Sequence, residues 1–457
     1  MSKSIYAINE KIKNHTVRVV TADRMSAIVK DLGAEQAAAE VDVVTTGTFG
    51  AMCSSGVWLN FGHSEPPMKM TRVWLNDVEA YAGVAAVDAY LGVTQPSETL
   101  GVEYAGAHVI EDLLLGKPVV LRAVSYGTDC YPLKELVTEI TLADLNQAVM
   151  SNPRNAYQRY NAAGNSGARV LHTYMGKLLP GCGNINFSGA GALSPLLNDP
   201  EFATIGIGTR IFLGGSIGYI TGSGTQHNPG AQFATLMVQG DLKQMSAEFL
   251  KAALFHGYGS SMYIGIGIPI PVLNAEIAKN TGIRDCEIET NVMDYSVASR
   301  TRPVLGRCNY EQLKSGTVRI GDRKIPSAPL VSYRKSKQVA LTLKQWIEQG
   351  DFFLSEPVAK ISVQGALKPM TQKQPEPRAA LFYQRQPMVS SLHATPYISW
   401  NEQLCISCGQ CLAICPTQVY QHDAEWQVTA KLENCMECGQ CEQVCPRGAI
   451  VSKKNVQ

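Results

Sequence analysis

Thirteen cysteines stand in the 457 residues, and eight of them fall in the last 60. They form two copies of one spacing, Cys405-x-x-Cys408-x-x-Cys411-x-x-x-Cys415-Pro416 and Cys435-x-x-Cys438-x-x-Cys441-x-x-x-Cys445-Pro446, set 30 residues apart. Thiolates at two-residue intervals are soft metal ligands that can wrap one polynuclear centre. Zinc asks for four ligands per site, often as two separated Cys-x-x-Cys pairs, and neither zinc nor disulfides explain a three-plus-one run written twice. The spacing points to iron–sulfur ligation. Gly409 and Gly439 let the backbone turn tightly and aim N–H groups at sulfur, which tunes potential.

The run resembles that of bacterial two-cluster ferredoxins. That resemblance implies that the cysteine before each proline crosses to the other cluster. Cys405, Cys408, Cys411 and Cys445 would then hold one [4Fe–4S] cluster, and Cys435, Cys438, Cys441 and Cys415 the other. A one-electron carrier joined to a large body says what that body is supplied with.

Five cysteines lie upstream: Cys53, Cys130, Cys182, Cys286 and Cys308. None is in metal spacing with another. A solitary cysteine is most often a small buried hydrophobe, and Cys286 and Cys308 read that way. Cys182, in Pro180-Gly181-Cys182-Gly183, sits in a flexible turn. Cys53 and Cys130 each follow an expected strand in a loop opened by Gly-Thr, within Thr46-Gly47-Thr48-Phe49-Gly50-Ala51-Met52-Cys53 and Tyr126-Gly127-Thr128-Asp129-Cys130-Tyr131-Pro132. Backbone N–H groups in such loops favour the thiolate, the nucleophilic form. Pro132 followed by Leu133–Val137 suggests a helix whose N-terminus would add positive potential beside Cys130, opposed by Asp129.

His63, His108, His172 and His227 are candidate acid–base groups, although a lone histidine is more often a satisfied hydrogen-bonding residue. The run Gly189-Ala190-Gly191-Ala192-Leu193-Ser194 has serine where a dinucleotide fingerprint needs its third glycine, and no Walker sequence exists, so nucleotide binding is rejected. Backbone N–H groups in such a loop can still cradle a substrate carboxylate, with Arg210, Arg300 or Arg302 as cationic partner.

These residues need a scaffold. Apolar residues make up 45% of the chain, enough for a sizeable core, and a net charge of +1 without charge blocks argues against nucleic acid or an electrostatic membrane anchor. The first 14 residues lack the apolar run of a signal peptide, and no stretch reads as a membrane span. Thiolate-bound clusters suit a reducing, cytoplasmic, low-oxygen setting. Strands are expected at Val17–Val20, Val41–Thr46, Pro118–Val124, Ile205–Ile207, Ile211–Leu213, Ser216–Tyr219 and Tyr263–Ile268. Helices are expected at Asp23–Glu40, at His108–Leu115 with Gly116 ending it, and at Gln244–Phe255. The alternation predicts an α/β large domain, a mixed sheet with helices, whose site lies at strand carboxyl ends. A small α+β ferredoxin-like domain with two [4Fe–4S] clusters follows. Pro369, Pro375, Pro377, Pro387 and Pro396 mark a semi-extended tether. The expected domains are residues 1–365, a linker at 366–397, and 398–457. Residues 398–457 carry four Lys/Arg against six Asp/Glu, whereas 366–397 carry four against one, so an acidic module hangs on a basic tether.

The stretches Val43–Cys53, Gly62–Pro66 (GHSEP), Gly106–Glu111 (GAHVIE), Tyr126–Pro132 and Tyr219–Pro229 together resemble the homocysteine-biosynthesis family, the L-aspartate semialdehyde sulfurtransferases of methanogens and other anaerobes. The resemblance covers residues from about 5 to 360 and implies reductive sulfur insertion into an aldehyde. It places reactive cysteines at Cys130 and Cys53, with Cys130 carrying sulfur or attacking the aldehyde and Cys53 resolving or relaying. It implies L-aspartate 4-semialdehyde, a sulfide or persulfide donor and a low-potential electron donor as reactants. A sulfur-relay protein and a homo-oligomer are further candidate partners. Many relatives use a separate ferredoxin-like protein, whereas this chain carries its own. Two other readings remain: a ferredoxin-linked oxidoreductase of another small carbonyl compound, and a sulfur-carrier or electron-transfer protein without catalysis.

Overall fold

The computed structural model describes residues 3–155, 158–299, 301–365, 367–373 and 397–452. The chain divides into two compact units, Met1–Lys368 and Pro369–Gln457. The expected linker at 366–397 lies outside the described residues apart from 367–373 and 397.

The first unit joins sheets and helices, but its sheets are mainly antiparallel. One strand–helix–strand unit exists at its start. Val19–Thr21 pairs in parallel with Val43–Thr45 across the helix Ala22–Glu40. Gly33 breaks that helix with φ 77°, so the single expected helix is two. A nine-stranded sheet forms the centre, with Gly259–Gly267, Arg210–Leu213, Ser216–Ser223, Leu236–Asp241, Gln147–Asn155 and Gly56–Asn60 as successive inner strands. All its pairings are antiparallel. A six-stranded antiparallel sheet includes Arg72–Leu75 and Val119–Val124. A second six-stranded sheet, mixed in direction, contains Ala162–Gly164 and Ile185–Phe187. Helices follow strands again at Gly106–Leu114, Ala275–Thr281 and Tyr310–Lys314, but most of the unit is strand following strand.

Two expected helices are strands. The segment 244–255 is a strand, Leu250–Phe255, after a single tight turn at Leu242–Gln244. It closes a hairpin with Gly259–Gly267 through His256–Tyr258, where Gly257 takes φ 69°. Cross-strand pairing overrides the helical spacing there. After Cys130 the chain forms the strand Glu135–Ile140 against Val119–Val124. Its β-branched Val137, Thr138 and Ile140 suit a pleated ribbon. No helix dipole therefore acts at Cys130.

The helix Tyr333–Gln349 buries Ser336, Val339, Ala340, Leu343 and Ile347. It lies so close to Gly47 that a Cβ there would stand 2.2 Å from the Ser336 carbonyl oxygen. Ile8 and Ile12 of the helix Ile5–Lys13 share a core cluster with Ile347 and Phe352. Asn9 clasps Leu354 twice. Its amide donates to the Leu354 carbonyl at 2.9 Å and its oxygen accepts the Leu354 N–H at 2.9 Å.

Asp42, whose side chain is 2% exposed, receives Lys3 at 2.8 Å, Lys11 at 2.7 Å and the Arg18 N–H at 2.9 Å. Burial alone would push its carboxyl up, but the Arg18 N–H and the two ammonium groups outweigh burial and hold it below the ordinary value.

The second unit is a pair of matching halves. Ile398–Trp400 pairs with Ile450–Ser452, and Tyr420–His422 with Val428–Ala430. Gly409 and Gly439, at φ 74° and 71°, open the short helices Gln410–Ile414 and Gln440–Val444.

Gly47→Ala is expected to cost about 1–3 kcal/mol of stability, read as a lower denaturation midpoint, because the new methyl meets rigid backbone. Asp42→Asn is expected to destabilise at neutral pH. The folded carboxyl titrates below the unfolded one, so its contribution is present above the unfolded value and fades as pH falls. The gap between variant and parent in chemical denaturation should narrow as pH drops through about 4.

Candidate active site and iron–sulfur centres

The sequence Thr46–Cys53 is fixed from several sides. The Thr46 hydroxyl donates to the Ile268 carbonyl at 2.7 Å and accepts the Ile268 N–H at 3.0 Å. Gly47 N–H donates to the Leu193 carbonyl, and Phe49 N–H to the Ser336 hydroxyl. Thr48–Ala51 pairs with the strand Gly259–Gly267. Ser55 then donates to the Met52 carbonyl at 2.8 Å, and Ser54 to the Arg154 carbonyl. Cys53 stands exposed in the turn between these anchors.

It opens onto a cleft of two adjoining hollows, about 520 and 510 Å³, which share Ala51, Met52, Tyr160 and Ser188. Gly189, Ser194, Gln158 and Tyr310 line the first. Cys53, Tyr174, Tyr258 and Ser261 line the second. The glycine-rich loop from Gly189 thus reaches the cleft, as its expected cradling role requires. Among the described residues, no acidic or basic side chain is in the lining. Gln158 Oε1 and the Ser261 hydroxyl are buried without a hydrogen-bond partner among the described residues. Burial, then the charges of Cys53 and Tyr174, raise the Tyr258 phenol. Tyr174 also bonds hydroxyl to hydroxyl with Tyr295 at 2.8 Å, and the Arg302 guanidinium lies 3.9 Å from the Tyr295 ring.

The other candidates are placed differently. Cys130 is exposed and is not among the residues lining either hollow. Its sulfur pairs with the Thr128 hydroxyl at 3.5 Å. His63 stacks on the neighbouring Tyr131 at 5.9 Å, so the GHSEP and YGTDCYP motifs meet. His108 caps its own helix by accepting the Ala105 N–H, and His227 engages Thr235 and the Ser362 carbonyl. His172 pairs with the His256 carbonyl at 2.8 Å. Arg210 bonds the Phe353 carbonyl and lies over Phe352. Arg300 lies outside the described residues. Cys308 is buried, and burial pushes its thiol up to about 11. Cys182 and Cys286 are half-buried. Gln158, Tyr258 and Ser261 carried no signal in sequence, since nothing in their spacing marks them.

In the second unit, Cys405, Cys408, Cys411 and Cys445 line one hollow of about 330 Å³. Cys415, Cys435, Cys438 and Cys441 line another of about 280 Å³. Backbone N–H groups reach four of the sulfurs: Ser407 to Cys405, Val419 to Cys415, Glu437 to Cys435 and Ala449 to Cys445, at 3.2–3.4 Å. Ser407 and Glu437 take φ 49° and 60° to do so. Four converging thiols with N–H donors to sulfur fit an iron–sulfur cluster in each hollow.

A cleft lined by an exposed thiol in one unit and two four-thiol hollows in the other point to an iron–sulfur protein of sulfur chemistry. Residues 17–354 match the family described as homocysteine biosynthesis enzyme, sulfur-incorporation, and residues 397–446 match the 4Fe-4S dicluster domain. The chain belongs to that homocysteine-biosynthesis family and carries a C-terminal ferredoxin-type iron–sulfur domain. It is 57% identical over 377 residues to an L-aspartate semialdehyde sulfurtransferase of Methanosarcina acetivorans, covering 82% of this chain and 75% of that protein. It is 56% identical over 371 residues to the protein of the same name from Methanocaldococcus jannaschii, covering 78% and 72%. An uncharacterized protein of Methanothermobacter thermautotrophicus is 27% identical over 419 residues, covering 78% of this chain and 95% of that protein. Among the described residues no helix is long and apolar enough to cross a membrane.

Brief alkylation at pH 8 should label Cys53 and Cys130 and spare Cys308, of which about one part in a thousand is thiolate there. Peptide mass mapping reads the outcome.

Proposed function

We propose that this chain forms L-homocysteine by reductive sulfur transfer to L-aspartate 4-semialdehyde, with Cys53 at the reacting carbon and electrons entering through the C-terminal domain. The observation that carries the reading is the Cys53 thiol lining a neutral cleft in a chain 57% identical to a sulfurtransferase of that name. An α-amino acid headgroup has no net charge, which suits a cleft lined by hydroxyls, amide and backbone. Gln158 Oε1 is an acceptor suited to the substrate ammonium. The Ser261 hydroxyl, with Tyr258 near it in the lining, is a donor suited to the aldehyde oxygen.

The reaction balances as aldehyde plus hydrogen sulfide plus two electrons and two protons, giving thiol plus water. Sulfur adds to the carbonyl carbon, the carbonyl oxygen leaves as water, and the carbon is reduced. Sulfur delivered as a persulfide needs two more electrons to break its S–S bond. Two [4Fe–4S] clusters, held by Cys405, Cys408, Cys411 and Cys445 and by Cys435, Cys438, Cys441 and Cys415, supply single electrons when bound. Cys130, exposed and outside the cleft lining, receives sulfur from a donor and passes it on. This keeps for Cys130 the sulfur-carrying role, one of the two expected from sequence, and gives Cys53 the aldehyde in place of the expected resolving or relaying role.

The test is anaerobic turnover of the cluster-loaded protein with sulfide, aspartate semialdehyde and a low-potential reductant. Cys53→Ala should lower homocysteine formation at least about a hundredfold, on the scale of losing a nucleophile. Cys130→Ala should retain more activity with free sulfide than with a persulfide donor. Parental turnover by Cys53→Ala would refute the assignment.

A further inference from the structure

The two halves of the second unit match at an offset of 30 residues, so most residues lining one hollow have a counterpart in the other, while Trp400 and Pro446 line the first alone. Cys405, Cys408, Cys411 and Cys445 correspond to Cys435, Cys438, Cys441 and Cys415. Ala449 corresponds to Val419, and both donate N–H to sulfur. Among the buried pairs the polarity differs at one, where Ile450 in the first hollow corresponds to Tyr420 in the second.

Tyr420 is 2% exposed, and its hydroxyl has no hydrogen-bond partner among the described residues. A buried phenol costs free energy unless its O–H finds an acceptor. The hollow it lines is ringed by sulfur. Cys415, Cys435, Cys438 and Cys441 all line the hollow that Tyr420 lines. Among the other paired differences, Arg447 against Thr417 sets an exposed and solvent-screened guanidinium against a hydroxyl 3.7 Å from the Cys415 sulfur.

We propose that Tyr420 donates its O–H to sulfur in the hollow of Cys415, Cys435, Cys438 and Cys441, and so raises the reduction potential of that cluster alone. A donor to sulfur stabilises the more negative, reduced state, and low polarity around it strengthens the effect. Ile450 offers no donor to the other cluster. Tyr420 thereby distinguishes the two clusters at a buried position where the other half carries an aliphatic side chain.

The inference rests on the dicluster reading, and the experiment separates the two. Parent and Tyr420→Phe are loaded with iron and sulfide, assayed for both, and examined by protein-film voltammetry. The parent should hold iron and sulfide for two [4Fe–4S] clusters, and the variant the same. One of two reduction waves should move to lower potential in Tyr420→Phe, with the reduced-to-oxidised ratio of that cluster at fixed potential falling about three- to tenfold. A fully loaded variant with parental waves overturns the role of Tyr420 alone. A parent that cannot hold two clusters overturns the dicluster reading and this inference together.

Discussion

The close approach of the helix Tyr333–Gln349 to Gly47 is the contact on which the body depends. Only a residue without a side chain fits beneath the Ser336 carbonyl, and only then can Phe49 N–H reach the Ser336 hydroxyl. That wedge holds Thr48–Ala51 against the strand Gly259–Gly267, and the next turn delivers Cys53 to the cleft. A thiol on an anchored turn is positioned by backbone, which moves little. The same strand Gly259–Gly267 brings Ser261 and, through its hairpin, Tyr258 to the same wall.

The amino-acid sequence made the second unit almost wholly legible. Metal ligation imposes spacing along the chain, and the resemblance to two-cluster ferredoxins sorted Cys405 to Cys445 into the same two sets that the two hollows gather. The body was legible at isolated points. The helices near Asp23–Glu40 and His108–Leu115 and the strand Val119–Val124 lie where periodicity placed them. Gln244–Phe255 misled because a half-buried hairpin arm with alanines and leucines has the composition of a helix. Leu133–Val137 misled because proline signals a helix start as readily as a turn before a strand. Sheet direction was hidden, since antiparallel partners such as Gln147–Asn155 and Gly56–Asn60 lie far apart in sequence.

The candidate site divides the same way. Cys53 and Cys130 were visible because a loop thiol after Gly-Thr has a recognisable chemistry. The groups facing the cleft beside Cys53 come from Gln158, Tyr258 and Ser261, ordinary residues that acquire meaning only through placement. His108 and His227, which looked like acid–base candidates, have given their ring nitrogens to backbone. In a glycine-rich chain, loops need such pins, and a histidine is well suited because each ring carries two separate hydrogen-bonding atoms.

The Asn9 clasp on Leu354 joins the opening helix to the far end of the body. The region matched by the family, 17–354, begins after that helix. A fragment excised at those limits would keep the sheets and the reactive turn yet strip Ile8 and Ile12 from Ile347 and Phe352, leaving a greasy seam open to water. The autonomous folding unit is therefore larger than the stretch that relatives share most visibly, and its boundary is drawn by a side-chain amide rather than by resemblance.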